Sequence, residues 1–220
     1  GAGGLEIGAS ETSLISDIFS SDRNDKFYNT LSSNMKTHYP HINHSGLVVD
    51  AKDISGKLIL EKSKFSPDIV MGGPPCDDFT TTGRRMGGKG DKGGLIFDFL
   101  RIVYDLDAPC FIFENVPNLA KQFKFYFEDF LKQSIEYGYH IKWDILKAND
   151  FGAPTQRSRI FVVGFKDPQK LNSFQFPNPS HFAEEELFIL KKTNLHNRFN
   201  YVSDVLQDLP DINTLNSKKF

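Results

Sequence analysis

Short apolar runs rich in β-branched and aromatic residues alternate along this chain with longer segments whose apolar residues fall at helical spacing. That alternation narrows the fold more than any other feature. The runs "SLISDIFSS", "PDIVMGG", "APCFIFENV", "YHIKWDILKA" and "SRIFVVGF" read as strands bounded by turn residues. Between them "NDKFYNTLSSNMKTHY", "GGLIFDFLRIVYDL" and "KFYFEDFLKQSIEYG" read as helices; Ile96, Phe99, Leu100 and Val103 share one face of the second, and Phe123, Phe127 and Phe130 form a packing stripe on the third. Strands alternating with helices predict an α/β fold, a doubly wound and mainly parallel sheet. In such sheets ligands gather outside the carboxyl ends of the strands. Asp22, Cys76 and Glu114 all fall at such ends.

The chain has 220 residues, 39% hydrophobic and 25% charged, enough for one sizeable domain and the start of a second. The texture changes after Lys166, where "DPQKLNSFQFPNPSHFAEEE" carries three prolines and no sustained apolar period. The expected division is therefore a core domain over residues 1–166 and an exit segment over 167–220. No apolar stretch is long enough to span a bilayer, and no signal peptide opens the chain, so no membrane partner is expected. Two cysteines make no disulfide framework, and a reducing cytoplasmic setting is the expectation. A formal net charge of −2 argues against a nonspecific polybasic coat while leaving room for a local basic groove.

"MGGPPCDDFT", residues 71–80, sets Cys76 directly behind two prolines that fix φ and remove backbone donors. Such a loop keeps its shape, which suits a positioned nucleophile; a buried thiol acting as a small hydrophobe is the commoner fate of cysteine. "GAGG" at residues 1–4 permits close backbone approach, and Asp22 one strand later can accept bonds from ribose hydroxyls. Glu114, in "FENVP", ends an apolar strand, where partial desolvation favours the protonated, donating form. Arg157 and Arg159, two apart in "PTQRSRIFVVGF", suit phosphates or base oxygens. His38, His41 and His44 are evenly spaced, but no cysteine or acidic cluster joins them; a solvated segment and no metal are expected.

In chain order, "GAGGLEIG", "GGPPCDDFT", "GGLIFDFLRI", "FENVPNL" and "GAPTQRSRIFVVGF" resemble the ordered motifs of the DNA cytosine-5 methyltransferases. The separation of Cys76 from Glu114 resembles that family's as well, and "FPNPSH" and "YVSDVLQDLP" resemble its approach to a target-recognition domain. The resemblance implies a Rossmann-like, S-adenosylmethionine-dependent fold acting on duplex DNA. It implies that Cys76 adds to carbon 6 of a flipped-out cytosine, that Glu114 holds the ring nitrogen and exocyclic amine, that Arg159 binds the base's carbonyl oxygen, and that Arg157 supports the site. For the cofactor it implies Gly1, Ala2, Gly3, Gly4 and Leu5 at the methionine end and Asp22 at the ribose. Asp53 with Ile54, after a long loop, would take the adenine, and Pro75 and Leu95 would line the pocket. A transfer-RNA cytosine-5 methyltransferase and a non-catalytic relative that binds cofactor or partner are the competing readings.

The chain also departs from that pattern. Asp77 stands where glutamine is usual, and a carboxylate there would raise the thiol's pKa and repel phosphate. Thr80 replaces a serine, and Thr155 occupies the usual glutamine position with Gln156 one place on. A first strand ahead of "GAGG", a target-recognition domain and the family's C-terminal segment are not seen. The expectation is a fragment, or one subunit of a split enzyme whose partner supplies recognition. The resemblance further implies a restriction-modification role, with a nucleoid-associated location in a bacterium or a nuclear one in a eukaryote.

Overall fold

In the computed structural model the chain is described over residues 1–75, 94–186 and 197–207. It divides into two compact units, Gly1–Asp144 with Ile160–Phe174, and Ile145–Arg159 with Gln175–Phe220.

The first unit opens with a left-handed Gly3 that leads into helix α1 (Gly4–Ser10), then strand β1 (Asp17–Asp22). The turn out of β1 is closed by polar side chains. Asp22 Oδ1 accepts from the Asn24 backbone N–H at 2.8 Å, and Asn24 caps α2 (Asp25–His38) by accepting from Lys26 and Phe27. Strand β2 (Asn43–Val48) lies parallel to β1, with Asp22 opposite Val48. Helix α3 (Gly56–Ser63) is capped by Ser55, whose Oγ accepts from the Leu58 N–H.

Strand β3 (Ile69–Gly72) pairs in parallel with β4 (Cys110–Asn115), and α4 (Leu95–Asp105) precedes β4. The predicted apolar face of α4 is buried at Ile96, Phe99, Leu100 and Val103. Helices α5 (Asn118–Lys121) and α6 (Lys124–Glu136) follow, then β5 (His140–Lys147), β6 (Ser158–Phe165) and α7 (Pro168–Ser173). The sheet order is β3-β4-β6-β5. An aromatic stack fills its core: Phe99 lies 5.6 Å from Phe113, Phe113 lies 4.3 Å from Phe130, and Phe111 lies 5.0 Å from Tyr139, whose hydroxyl donates to the Ala108 carbonyl at 2.6 Å.

Several expectations are corrected. The predicted parallel character holds for β1–β2 and β3–β4, but β6 runs antiparallel to β4, because the short link 148–157 cannot carry a crossover helix. The long loop expected before Asp53 contains β2, and the glycine turn is followed at once by α1. His44 belongs to β2 and is half-buried, with Nε2 3.2 Å from Ser20 Oγ, whereas His38 and His41 are exposed as expected. In the phenylalanine stripe Phe127 and Phe130 are buried and Phe123 half-buried. No helix among the described residues is long and apolar enough to cross a membrane.

In the second unit, β7 (His181–Phe182) pairs with β8 (Asn197–Arg198) in parallel, a 3-10 turn spans Ala148–Phe151, and a short helix spans Val202–Leu206. Ser180 N–H donates to the Asp150 carbonyl at 2.9 Å and Asn200 donates to the Gly152 carbonyl at 2.7 Å, so backbone and amide bonds tie its two described stretches together.

Candidate active site

Strand β3 ends at Gly72 opposite Phe113 of the parallel β4, and the next residue along each strand, Gly73 and Glu114, reaches the site. Glu114 is half-buried, and its carboxylate lies against Gly73. A methyl group on Gly73 would come within 2.7 Å of Glu114 Oε2, so glycine is what lets the loop pass the carboxylate this closely. Buried Asn115 adds a second tie, donating through Nδ2 to the Pro74 carbonyl at 3.4 Å while its Oδ1 accepts from the Val116 N–H at 2.9 Å. Two neighbouring residues of β4 thus touch the Gly73–Pro74 segment. Pro75 is exposed; Cys76 follows it and lies outside the described residues, as do Asp77 and Thr80.

Asn115 was not singled out from the sequence as a functional residue. The signal available was an amide immediately after the carboxylate in "FENVP", a type rarely buried without a partner to satisfy it. The other cysteine, Cys110, opens β4; it is buried, and burial pushes its thiol up to about 11, which makes it a packing residue.

The expected cofactor residues gather at the carboxyl end of β1 and around it. Gly3 adopts φ +97°, and a Cβ there would meet Leu31 Cδ1 at 2.4 Å, so this turn requires glycine on two counts. The Gly1 nitrogen lies at Asp22 Oδ2, which places the "GAGG" turn and the first carboxylate together. A Cβ on Gly1 or Gly4 would meet nothing, so this exposed turn is open to a close-lying ligand. Ala2 is exposed and Leu5 half-buried. Asp53 is exposed, while Ile54 beside it is 1% exposed and packs with Ile59, Ile102 and Leu106; the loop therefore turns an anionic face outward on an apolar anchor. Leu95 is buried at the first turn of α4.

Arg157 and Arg159 belong to the second unit. Arg157 is exposed, and its carbonyl accepts from the Ala148 N–H at 2.8 Å; Arg159 is half-buried in β6 and donates from Nη1 to the Ser158 carbonyl at 2.7 Å. Their neighbours Gln156 and Ser158 line a cavity of about 500 Å³ with Lys147, Asp150 and His181. That cavity holds none of the predicted site residues.

The sequence matches the C-5 cytosine-specific DNA methylase family over residues 1–219. It is 35% identical over 193 residues to the type II methyltransferase M.AquIA of Picosynechococcus, covering 82% of this chain and 74% of that one. It is 29% identical to the type II methyltransferase M.Bsp6I of a Bacillus species, covering 93% and 62%. Among solved structures, a DNA modification methyltransferase encoded within an Escherichia coli prophage superposes with a TM-score of 0.67 at 25% identity, over 96% of this chain and 53% of that one. Spodoptera frugiperda DNMT2 shares the fold, with a TM-score of 0.56 at 21% identity, over 81% and 50%. The chain thus spans from about half to three quarters of the length of these relatives. With the ordered motifs, the glycine turn beside Asp22 and Glu114 against the loop that leads to Cys76, the match fixes the lineage: this chain belongs to the C-5 cytosine-specific DNA methylases.

Proposed function

We propose that the protein transfers a methyl group from S-adenosylmethionine to carbon 5 of cytosine in duplex DNA. The observation that carries this reading is the contact of the Glu114 carboxylate with Gly73, three residues before Cys76, at the ends of adjacent parallel strands. A thiol in that loop and an acid beside it are the two groups that addition to a pyrimidine requires.

The Cys76 thiolate forms a bond to carbon 6, and the electron pair of the 5,6 double bond moves into the ring. Glu114, protonated, donates at the ring nitrogen and accepts from the exocyclic amine, so the added charge is neutralised as it develops. Carbon 5 is then nucleophilic; S-adenosylmethionine supplies the methyl group. A base removes the carbon-5 proton, the double bond re-forms, and Cys76 leaves as thiolate. Arg159 binds the base's carbonyl oxygen and Arg157 supports the site. The base must leave the stack to reach such a pocket. Asp22 would accept from the ribose hydroxyls beside the Gly1–Leu5 turn and Asp53 from the adenine amine; exposed Pro75 would offer apolar surface to the rings, while buried Ile54 and Leu95 anchor the loop and the helix that carry the site. A second chain or a further segment supplying sequence recognition is part of this proposal; the chain covers 74% and 62% of the length of two curated relatives. Their type II names support a restriction-modification role.

The test is methyl transfer from labelled S-adenosylmethionine by the protein isolated with whatever co-purifies, offered duplex DNA and transfer RNA separately. Label at carbon 5 of cytosine in DNA, lost in Cys76→Ala, is the expected result. Label in transfer RNA alone would overturn the substrate, and label in neither from an intact assembly would make the chain a binding relative.

A further inference from the structure

Arg101, on α4, reaches across to the loop between β2 and α3 with an unusual number of partners. Its Nη1 donates to the Ile54 carbonyl at 2.8 Å; its Nη2 donates to the Ala51 carbonyl at 2.7 Å and, at 3.5 Å, to that of Lys52. The guanidinium is held from its own helix by Asp98 one turn back, at 3.3 Å, and Asp105 one turn on, at 3.6 Å. Asp105 in turn accepts from the Gly56 N–H at 3.4 Å, where a Cβ on Gly56 would sit 2.6 Å from Asp105 Cβ. The loop is thereby fastened to α4 at several points within one stretch.

Loop carbonyls do not need a guanidinium; water would satisfy them on the surface. Three of them turned toward one cation fix the backbone of the segment that carries Asp53, whose own carboxylate Arg101 does not bond. Ile54, anchored in the apolar cluster beneath, fixes its other side. Arginine suits this because its planar fork spreads donors over several acceptors at once, which a lysine ammonium does less well. We propose that Arg101 is a positioning residue for the adenine of S-adenosylmethionine, holding residues 51–54 so that Asp53 meets the amine without first paying the entropy of ordering the loop. This rests on the assignment of Asp53 to the adenine made above.

The experiment is a double-mutant cycle read by calorimetric affinity for S-adenosylhomocysteine, with thermal unfolding and the KM for DNA measured alongside. Arg101→Gln is expected to weaken cofactor binding about tenfold, and Arg101→Lys by an intermediate factor, while the KM for DNA stays within about twofold. Asp53→Ala should also weaken binding about tenfold, and the double variant should be no weaker than Asp53→Ala within about twofold, because a loop without its carboxylate gains nothing from being fixed. Multiplying effects, or unchanged affinity in folded Arg101→Gln, would overturn the proposal. If Arg101→Gln fails to fold, Arg101→Lys and Asp98→Asn, which loosens the fork from outside, carry the same cycle with Asp53→Ala. Unchanged affinity in Asp53→Ala would instead sink the adenine assignment itself.

Discussion

Asp22 and Glu114 stand at matching places near the carboxyl ends of β1 and β4, yet the two strands hold them by different physics. Beneath Asp22, on its own face of β1, the surroundings are partly polar: Ser20 is buried, donates to Glu6 Oε1 at 3.3 Å and meets His44 Nε2 beside the cluster of Leu31, Met35 and Ile42, while Phe19 on the other face packs against Ile54, Ile59, Ile102 and Leu106. Behind Glu114, on the opposite face of β4, the packing is aromatic, with Phe111 fully buried against Phe99 of α4 and Phe113 against Phe130 of α6. Under the proposed assignment, Asp22, which would accept from sugar hydroxyls, is oriented by the Asn24 backbone donor at a half-buried rim. Glu114, which would deliver a proton to a base, is oriented by the rigid packing of the strand that carries it. In this reading precise positioning falls to β4 in the four-stranded sheet with its aromatic packing, and ligand contact to β1 in the two-stranded sheet.

The sharpest way to break this contrast is Glu114→Gln. Turnover should fall by about 10²–10⁴-fold, as for loss of a general acid, with cofactor affinity within about twofold of the parent, measured by single-turnover kinetics and calorimetry. A matching loss of cofactor affinity would erase the distinction between the two carboxylates. Next in size is the aromatic packing itself. Phe113→Ala should cost about 3–5 kcal/mol in denaturant unfolding, and Ile42→Val in the smaller cluster about 0.5–1.5 kcal/mol. Equal losses would mean that the two halves are packed alike.

On the cofactor side, Asp22→Asn should weaken S-adenosylhomocysteine about tenfold while leaving the rate at saturating cofactor within about twofold. The smallest effect is a pH dependence. Burial holds the His44 imidazole below its ordinary range, with Glu6 pulling the other way. The folded protein therefore keeps His44 neutral where the unfolded chain takes up a proton, below about pH 6.5. Stability should fall as pH drops through that value, and His44→Gln should flatten the slope over that window, read from unfolding midpoints. An unchanged slope would place the proton uptake elsewhere.

Much of this was legible in residue order. The strand "SRIFVVGF" and the buried face of α4 match their expected limits and spacing, because an uninterrupted apolar period states both type and extent. Strand β2 was not legible. Gly46 and the polar pair His44–Ser45 break its apolar run, and it forms because β1 offers a parallel edge. Helix α3 is too short for its period to stand out, and its start depends on the Ser55 cap. The reversal of β6 could have been read from the link 148–157, which lacks helix length. The site carboxylates were visible as residue types at strand ends. The ties that hold them were not: Asn115 meets Pro74, and Arg101 meets carbonyls of residues 51–54, only in the folded chain, and from sequence Arg101 between Asp98 and Asp105 reads as an ordinary surface ion pair.

Covalent chemistry at Cys76 can be trapped with duplex DNA carrying 5-fluorocytosine in the recognised sequence. Fluorine at carbon 5 blocks the final elimination and traps enzyme on DNA. With S-adenosylmethionine and the protein as isolated with its co-purifying partners, intact mass and peptide mapping should give one methylated DNA adduct at Cys76. Buried Cys110 should stay unmodified. No adduct from the intact assembly, or an adduct at any other residue, would contradict the account.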